Sequence, residues 1–200
     1  MRVFLALTLA SLLIACSGGT QIRHYLVDPQ PGPRLAEPDA PALVVEIVDV
    51  ELPRYLDRYP IVRRGADGQL TLSGGHQWGE SLRLNLLRTL SINLGEQLGS
   101  VNVATPRMRS PTAPDYRVLV FIEAFEADAS GEVRLDARWQ LLAGRDNATL
   151  QTAQSRLRHE RNIGQRDYAG QVAAMAALFG QLSAEIATAL LADVESGQGS

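Results

Sequence analysis

The stretch between Tyr116 and Arg161 constrains the fold of this chain more than any other part of its sequence. Tyr116–Ala127 is apolar on both faces, which predicts a central strand. Glu132–Leu142 alternates apolar and charged residues, as strands do when one face meets water, and Thr149–Arg161 is a more polar strand. Because only short turns containing glycine or asparagine separate the three segments, the sequence predicts an antiparallel meander.

Two other segments carry apolar residues at helical spacing. Trp78–Leu98 places Trp78 and successive leucines four residues apart, and Gly99 is a suitable residue to end such a helix. Gln165–Ala192 repeats apolar residues at steps of three and four, which predicts a long helix lying along the sheet. The polar residues 195–200 are expected to form a disordered tail.

Shorter strands are predicted nearer the N-terminus. Arg23–Val27 and Leu43–Val50 have strand composition, and Ile61–Arg64 and Gln69–Leu72 are predicted to pair as a hairpin across an Asp-Gly turn. Five prolines make residues 29–41 an extended loop. The prediction is a single α+β domain over residues 23–194, in which two long amphipathic helices pack on a mixed, largely antiparallel sheet.

The N-terminus has the pattern of an export signal. Arg2 precedes an apolar run that is shorter than the roughly 20 residues needed to span a bilayer, which is typical of a signal peptide. The run ends in Leu13-Ile14-Ala15-Cys16, which resembles the bacterial lipobox. Residues 1–15 are therefore predicted to be a lipoprotein signal peptide, and residues 16–22 a tether lipidated at Cys16. The alternative is an ordinary signal peptide with an incidental cysteine.

Composition and motif searches offer little sign of catalysis. The formal net charge of −3 gives no broad positive field for nucleic acid. None of the histidines has metal-ligand spacing to another histidine or to the single cysteine, so no metal or cofactor is expected. Ser73 near His76 could form a hydrolase pair, although a flexible loop is the simpler interpretation. The arginines at positions 156, 158, 161 and 166 suit a solvated edge or a subunit interface.

Several motifs together resemble the PqiC/YmbA family of auxiliary lipoproteins in ABC-type lipid transport. After the lipobox come Leu52-Pro53-x-Tyr55-Leu56-Asp57-Arg58, Ile61-Val62-x-Arg64 and Trp78-x-Glu80. Further on, Ala137-x-Trp139 fits the same pattern. The chain has Tyr59-Pro60 where the family commonly has Pro-Gln, so the proline is displaced by one position.

The resemblance implies a non-enzymatic protein that docks the periplasm-spanning MCE-domain protein of a Pqi-like system and supports envelope integrity. It implies a lipid anchor on the periplasmic face of the outer membrane and a homo-oligomeric ring. The motif residues that form a possible interface are Tyr55, Leu56, Asp57, Arg58, Arg64, Trp78 and Glu80. The alternative function is a periplasmic lipoprotein that binds and carries a lipid or another solute, which requires an apolar cavity of several hundred Å3.

Overall fold

The computed structural model describes residues 21–198 except 39, 41 and 161. Within this part of the chain, eight strands form one mixed sheet and two helices pack on it, which confirms the α+β prediction. The strands are β1 (Arg23–Tyr25), β2 (Val45–Glu51), β3 (Pro60–Arg64), β4 (Leu70–Trp78), β5 (Val103–Ala104), β6 (Tyr116–Ala127), β7 (Val133–Ala143) and β8 (Thr149–Arg158). The helices are α1 (Leu82–Leu98) and α2 (Tyr168–Gln198). The predicted signal peptide and Cys16 lie outside the described residues.

The central strand of the sheet is β6. Strand β7 pairs antiparallel along its whole length and β8 pairs antiparallel with β7, which confirms the predicted meander. On its other side β6 pairs in parallel with β2, and at Ala127 also with β3. Strands β5 and β1 extend the sheet by further parallel pairings. Strands β3 and β4 pair antiparallel, which confirms the predicted hairpin. The longest ladders are therefore antiparallel, and parallel pairings occur between strands whose connections are long enough to cross over.

Helix α1 begins later than the sequence predicts. Trp78 belongs to the end of β4, where its N–H donates to the Tyr59 carbonyl at 2.8 Å, and the helix begins only at Leu82. Residues 73–76, expected to form a loop, also lie in β4. Trp78 has helical spacing to the leucines of α1. Its backbone nevertheless pairs with Tyr25 of β1 and with Tyr59, the residue before β3, and these partners favour the strand. Gly99 ends the helix in the left-handed conformation, with φ 60°, as predicted.

Helix α2 is longer at its C-terminus than expected. It runs to Gln198 rather than ending near Ala192, so residues 195–198, expected to be part of a disordered tail, continue the helix. The helix is long and apolar enough to cross a membrane by length and composition, but 61% of its most apolar window is buried within the domain. Phe179 packs its ring 6.0 Å from that of Phe125 on β6, and Met175, Leu182 and Ile186 are also buried. Helix α2 is therefore a core helix.

A segment at the N-terminus of the domain, residues 27–36, packs along α1. The Asn85 side chain accepts from the Val27 N–H at 2.7 Å and donates to the Val27 carbonyl, so it replaces a strand partner. Three turns further along the helix, Gln97 donates to the Pro31 carbonyl at 2.6 Å. Gly180 of α2 faces Gln30 so closely that a Cβ there would clash with the Gln30 carbonyl oxygen. This segment, which we call the N-terminal arm, is thus held by both helices.

Candidate functional site

The most specific part of the family motif forms the connection between β2 and β3. Residues 52–59, which we call the 52–59 loop, fold into tight turns in which the Leu56 N–H donates to the Pro53 carbonyl at 2.9 Å. The Arg58 N–H donates to the Leu56 carbonyl at 2.8 Å. These short-range bonds, together with Pro53 and Pro60 at the ends of the loop, limit the conformations that its backbone can adopt.

One half of the motif points into the domain. Leu56 is 3% exposed and belongs to the hydrophobic core. The Tyr55 hydroxyl donates to Glu126 Oε2 at 2.8 Å, and it also contacts the Glu123 carbonyl oxygen at 3.3 Å. The Arg64 guanidinium lies 5.1 Å from the centre of the Tyr55 ring, within the range of a cation–π contact. Tyr55, Leu56 and Arg64 therefore fix the base of the 52–59 loop.

The centre of this arrangement is the fully buried carboxylate of Glu126 on β6. Arg64 Nε and Arg134 Nη2 donate to its Oε1 at 2.8 and 3.0 Å, and the Phe125 N–H donates to its Oε2 at 2.9 Å. Burial alone would raise the pKa of Glu126, but the hydrogen bonds from Arg64, Tyr55, Arg134 and the Phe125 N–H hold that pKa below its ordinary value. Burial and the negative charge of Glu126 raise the pKa of Tyr55 to about 12. The carboxylate is ionised and the phenol is neutral at neutral pH.

The other half of the motif faces solvent. Arg54, Asp57 and Arg58 are exposed, and Tyr59 is 62% exposed. Asp57 accepts a long hydrogen bond from the Ser81 hydroxyl, at 3.4 Å between the oxygens. The 52–59 loop thus has an inner side that is held by a buried ion cluster and an outer side that presents two arginines, an aspartate and a tyrosine.

The remaining predicted motif residues lie beyond this loop. Trp78 is 3% exposed, so its side chain is part of the core. Glu80 is partly exposed and pairs with Arg88 of α1 at 2.6 Å. Glu126, the residue that connects Tyr55 with Arg64, was missed in the sequence prediction. The sequence did contain a signal for Glu126, because a charged side chain is unexpected in a strand that is apolar on both faces.

The pair Ser73 and His76 has contacts that differ from those of a nucleophile and its base. The Ser73 hydroxyl oxygen accepts from the backbone N–H of His76 at 2.9 Å. The His76 ring stacks between the rings of Tyr25 and Tyr168, and its Nδ1 lies 2.8 Å from the Tyr25 hydroxyl. His76 therefore joins β1 and the start of α2 to β4, while Ser73 accepts hydrogen bonds from the backbone of its own strand. Among the described residues, no group of three or more histidine, cysteine or acidic side chains could hold a metal ion.

The arginine-rich strand β8 lies at an edge of the sheet, where it pairs only with β7 among the described strands. Arg158 forms an ion pair with Asp136 at 2.7 Å, and Arg156 donates to Gln154 at 3.2 Å. Both arginines are exposed, as is Arg166, whereas residue 161 lies outside the described part. This placement agrees with a solvated edge and leaves the outer side of the strand open for a neighbouring subunit.

Comparisons with known proteins agree with the fold. The sequence model of a family described as "ABC-type transport auxiliary lipoprotein component" matches residues 25–187. A crystal structure of a Xanthomonas campestris protein assigned to the family DUF330 is similar, with 17% identity and a TM-score of 0.68, over 90% of this chain and 97% of that one. A second crystal structure, of an uncharacterized protein, shows 20% identity and a TM-score of 0.65 over 85% of this chain and 99% of that one. No curated relative matches the chain.

Proposed function

Since the chain belongs to the family of ABC-type transport auxiliary lipoprotein components, we propose that it serves an MCE-type lipid transport system as its non-enzymatic docking lipoprotein. In this proposal Cys16 carries the lipid, and the domain sits on the periplasmic face of the outer membrane. The partner is the periplasm-spanning MCE-domain protein of a Pqi-like system, and the docked pair supports envelope integrity.

The observation that carries this proposal is the two-sided construction of the 52–59 loop. Tyr55 and Arg64 bind the buried Glu126, while Arg58 and Tyr59 remain exposed at the outer side. Tyrosine and arginine are the residue types that most often dominate binding energy at protein interfaces. A loop fixed from within loses little conformational entropy on binding, which favours a specific contact.

The proposed anchor and its tether suit the same role. Strand β1 begins at Arg23, so the proposed tether of residues 16–22 is short. At about 3.5 Å per residue, the path from Cys16 to Ile22 reaches roughly 20 Å at most. The domain would stay close to its membrane, where a partner that crosses the periplasm arrives. A homo-oligomeric ring, with the exposed edge of β8 as one contact, would multiply the docking loops around that partner.

A binding measurement with the MCE-domain partner tests this function. We expect the full-length lipoprotein in nanodiscs to bind the partner, and the double variant Arg58→Ala, Tyr59→Ala to lose at least tenfold in affinity. The matched control is Arg145→Ala, which removes an exposed arginine from the turn between β7 and β8, outside both the 52–59 loop and strand β8, and it should bind the partner as the unmodified chain does. No binding by the unmodified chain, or equal binding by the double variant, would contradict the proposal.

A further inference from the structure

A cleft lies between α1 and the segment 105–108 that follows β5. Its volume is about 350 Å3, and its lining is mostly apolar, with Leu84, Leu87 and Ile92 on the helix and Pro106 and Met108 opposite. The volume falls within the range of about 300–1,000 Å3 typical of small-molecule sites. This space lies at the surface, beside the packed core.

The two walls of the cleft expose apolar side chains to water. Ile92 is 41% exposed and Met108 is 64% exposed, although both lie in ordered structure. The segment that carries Met108 is closed by two backbone hydrogen bonds between Thr105 and Met108, at 2.9 and 3.0 Å. These bonds define the shape of the segment, and the Ser91 hydroxyl of α1 donates to the Val103 carbonyl at 3.0 Å, which connects the strand before the segment to the other wall of the cleft.

Two positively charged side chains lie in this apolar lining. Arg88 and Arg107 both line the cleft, together with the single acidic residue Glu80. Arg88 already pairs with Glu80 at 2.6 Å. Arg107 is exposed, and no ion pair to it is found within the described part of the chain. The cleft thus has one positive charge in excess and favours an occupant that is apolar at one end and anionic at the other.

The size of the cleft favours a lipid over a protein as its occupant. Stable protein interfaces bury about 800 Å2 on each side and use about 20–30 residues, whereas ten residues line this cleft. An aliphatic chain fits such a space, and a phosphodiester gives the guanidinium of Arg107 a bidentate acceptor. We propose that the cleft binds an anionic phospholipid, with one acyl chain against Leu84, Ile92 and Met108 and the phosphate at Arg107, and that a zwitterionic phospholipid such as phosphatidylcholine binds there more weakly.

The proposed lipid site in this cleft is separate from the 52–59 loop. No residue of the cleft belongs to residues 52–59, so loss of lipid binding and loss of partner binding can be measured separately. Methionine labelling gives a direct probe, because Met108 lines the cleft and Met175 is 1% exposed in the core. The full chain, 13C-labelled at its methionine methyl groups in phosphatidylcholine nanodiscs, is titrated with 14-carbon lysophosphatidylglycerol. The Met108 signal should shift and saturate, while the Met175 signal stays in place and reports an intact core.

Variants of the cleft and ligands of different chemistry test the proposed lipid binding. Ile92→Asp should weaken the Met108 response at least tenfold in concentration, and Arg107→Gln about fivefold. Leu72→Asp is the control, because Leu72 is 45% exposed on β4 and outside the cleft. Glycerol phosphate, which lacks the chain, should cause no shift, and lysophosphatidylcholine or myristate should bind at least fivefold more weakly. An unchanged Met108 signal, an equal response in Ile92→Asp, or equal binding of myristate would overturn the proposal.

Discussion

The buried carboxylate of Glu126 allows a quantitative prediction of stability. Replacement by glutamine keeps the shape but removes the charge, and it turns an amide NH2 towards groups that are themselves donors. The remaining amide oxygen can accept from Arg64 and Arg134 on one side or from Tyr55 on the other, but not from all three, and both arginines lose the negative charge they face. Breaking a buried ion pair by changing one partner costs about 3–5 kcal/mol, since the remaining charges are left without compensation. The two arginine side chains are 30% and 29% exposed, so water compensates part of the loss, and we expect about 3 kcal/mol.

The measurement is a urea titration at pH 7 followed by tryptophan fluorescence, because Trp78 and Trp139 are both buried. With a slope of about 2 kcal/mol per M, the midpoint of Glu126→Gln should fall by about 1.5 M urea. Glu123→Gln is the matched control: Glu123 lies on the same strand and pairs with Arg138 at 2.7 Å, but both side chains are substantially exposed. An exposed pair contributes about 0–1 kcal/mol, so the control should shift little.

The same variant should show a specific pH dependence. The pKa of Glu126 is lowered in the folded state, so its stabilisation is present above the ordinary value of 4.5 and is lost as the pH falls through the folded-state pKa. The stability difference between the unmodified chain and Glu126→Gln should therefore be constant between pH 6 and pH 8 and shrink below pH 4.5. Equal midpoints at pH 7, or a difference that grows on acidification, would refute the role assigned to this carboxylate.

Three further substitutions test the arm and the loop, each by thermal or urea unfolding. Gly180→Ala should destabilise the domain although alanine favours helices by about 1 kcal/mol, because the new Cβ meets the Gln30 carbonyl oxygen; a gain in stability would mean that the arm does not lie there. Asn85→Leu leaves the buried Val27 N–H without its acceptor and should cost about 1–3 kcal/mol, together with faster proteolysis of the arm. Leu56→Ala removes a buried anchor of the 52–59 loop and should cost about 2–5 kcal/mol; a cost below 1 kcal/mol would show that the loop is not anchored there.

The sequence was most informative for the meander. The bounds of β6 agree with the prediction residue for residue, and β7 differs by one residue at each end, because turns flank both strands and alternation also marks β7. The helices were predicted from their apolar stripes, but Trp78 fitted both the stripe of α1 and the end of β4. Periodicity alone does not separate those choices, and the pairing of β4 with β1 and β3 decides between them.

The candidate site was harder to predict because it is assembled from distant segments. Tyr55, Arg64, Glu126 and Arg134 come from the 52–59 loop and three different strands, and no local pattern connects them. Resemblance to a family identified Tyr55 and Arg64 as important, but it gave no indication that one half of the motif points inward. The proline-rich stretch is a comparable case: its composition predicts an extended loop, and only the side chains of α1 and α2 determine where that loop lies.

The N-terminal arm has a mechanical consequence. A pulling force at the proposed anchor would act first on Arg23 and the three-residue strand β1. It would then act on Val27, whose backbone is hydrogen-bonded by the Asn85 and Thr89 side chains. From there it spreads into both helices through Gln97 and Gly180. If Cys16 carries the lipid as proposed, a pulling force would therefore reach the folded core within a few residues of the tether. The proposed tether would limit the distance between domain and membrane to roughly 20 Å, and pulling from a docked partner would be resisted by the hydrophobic core.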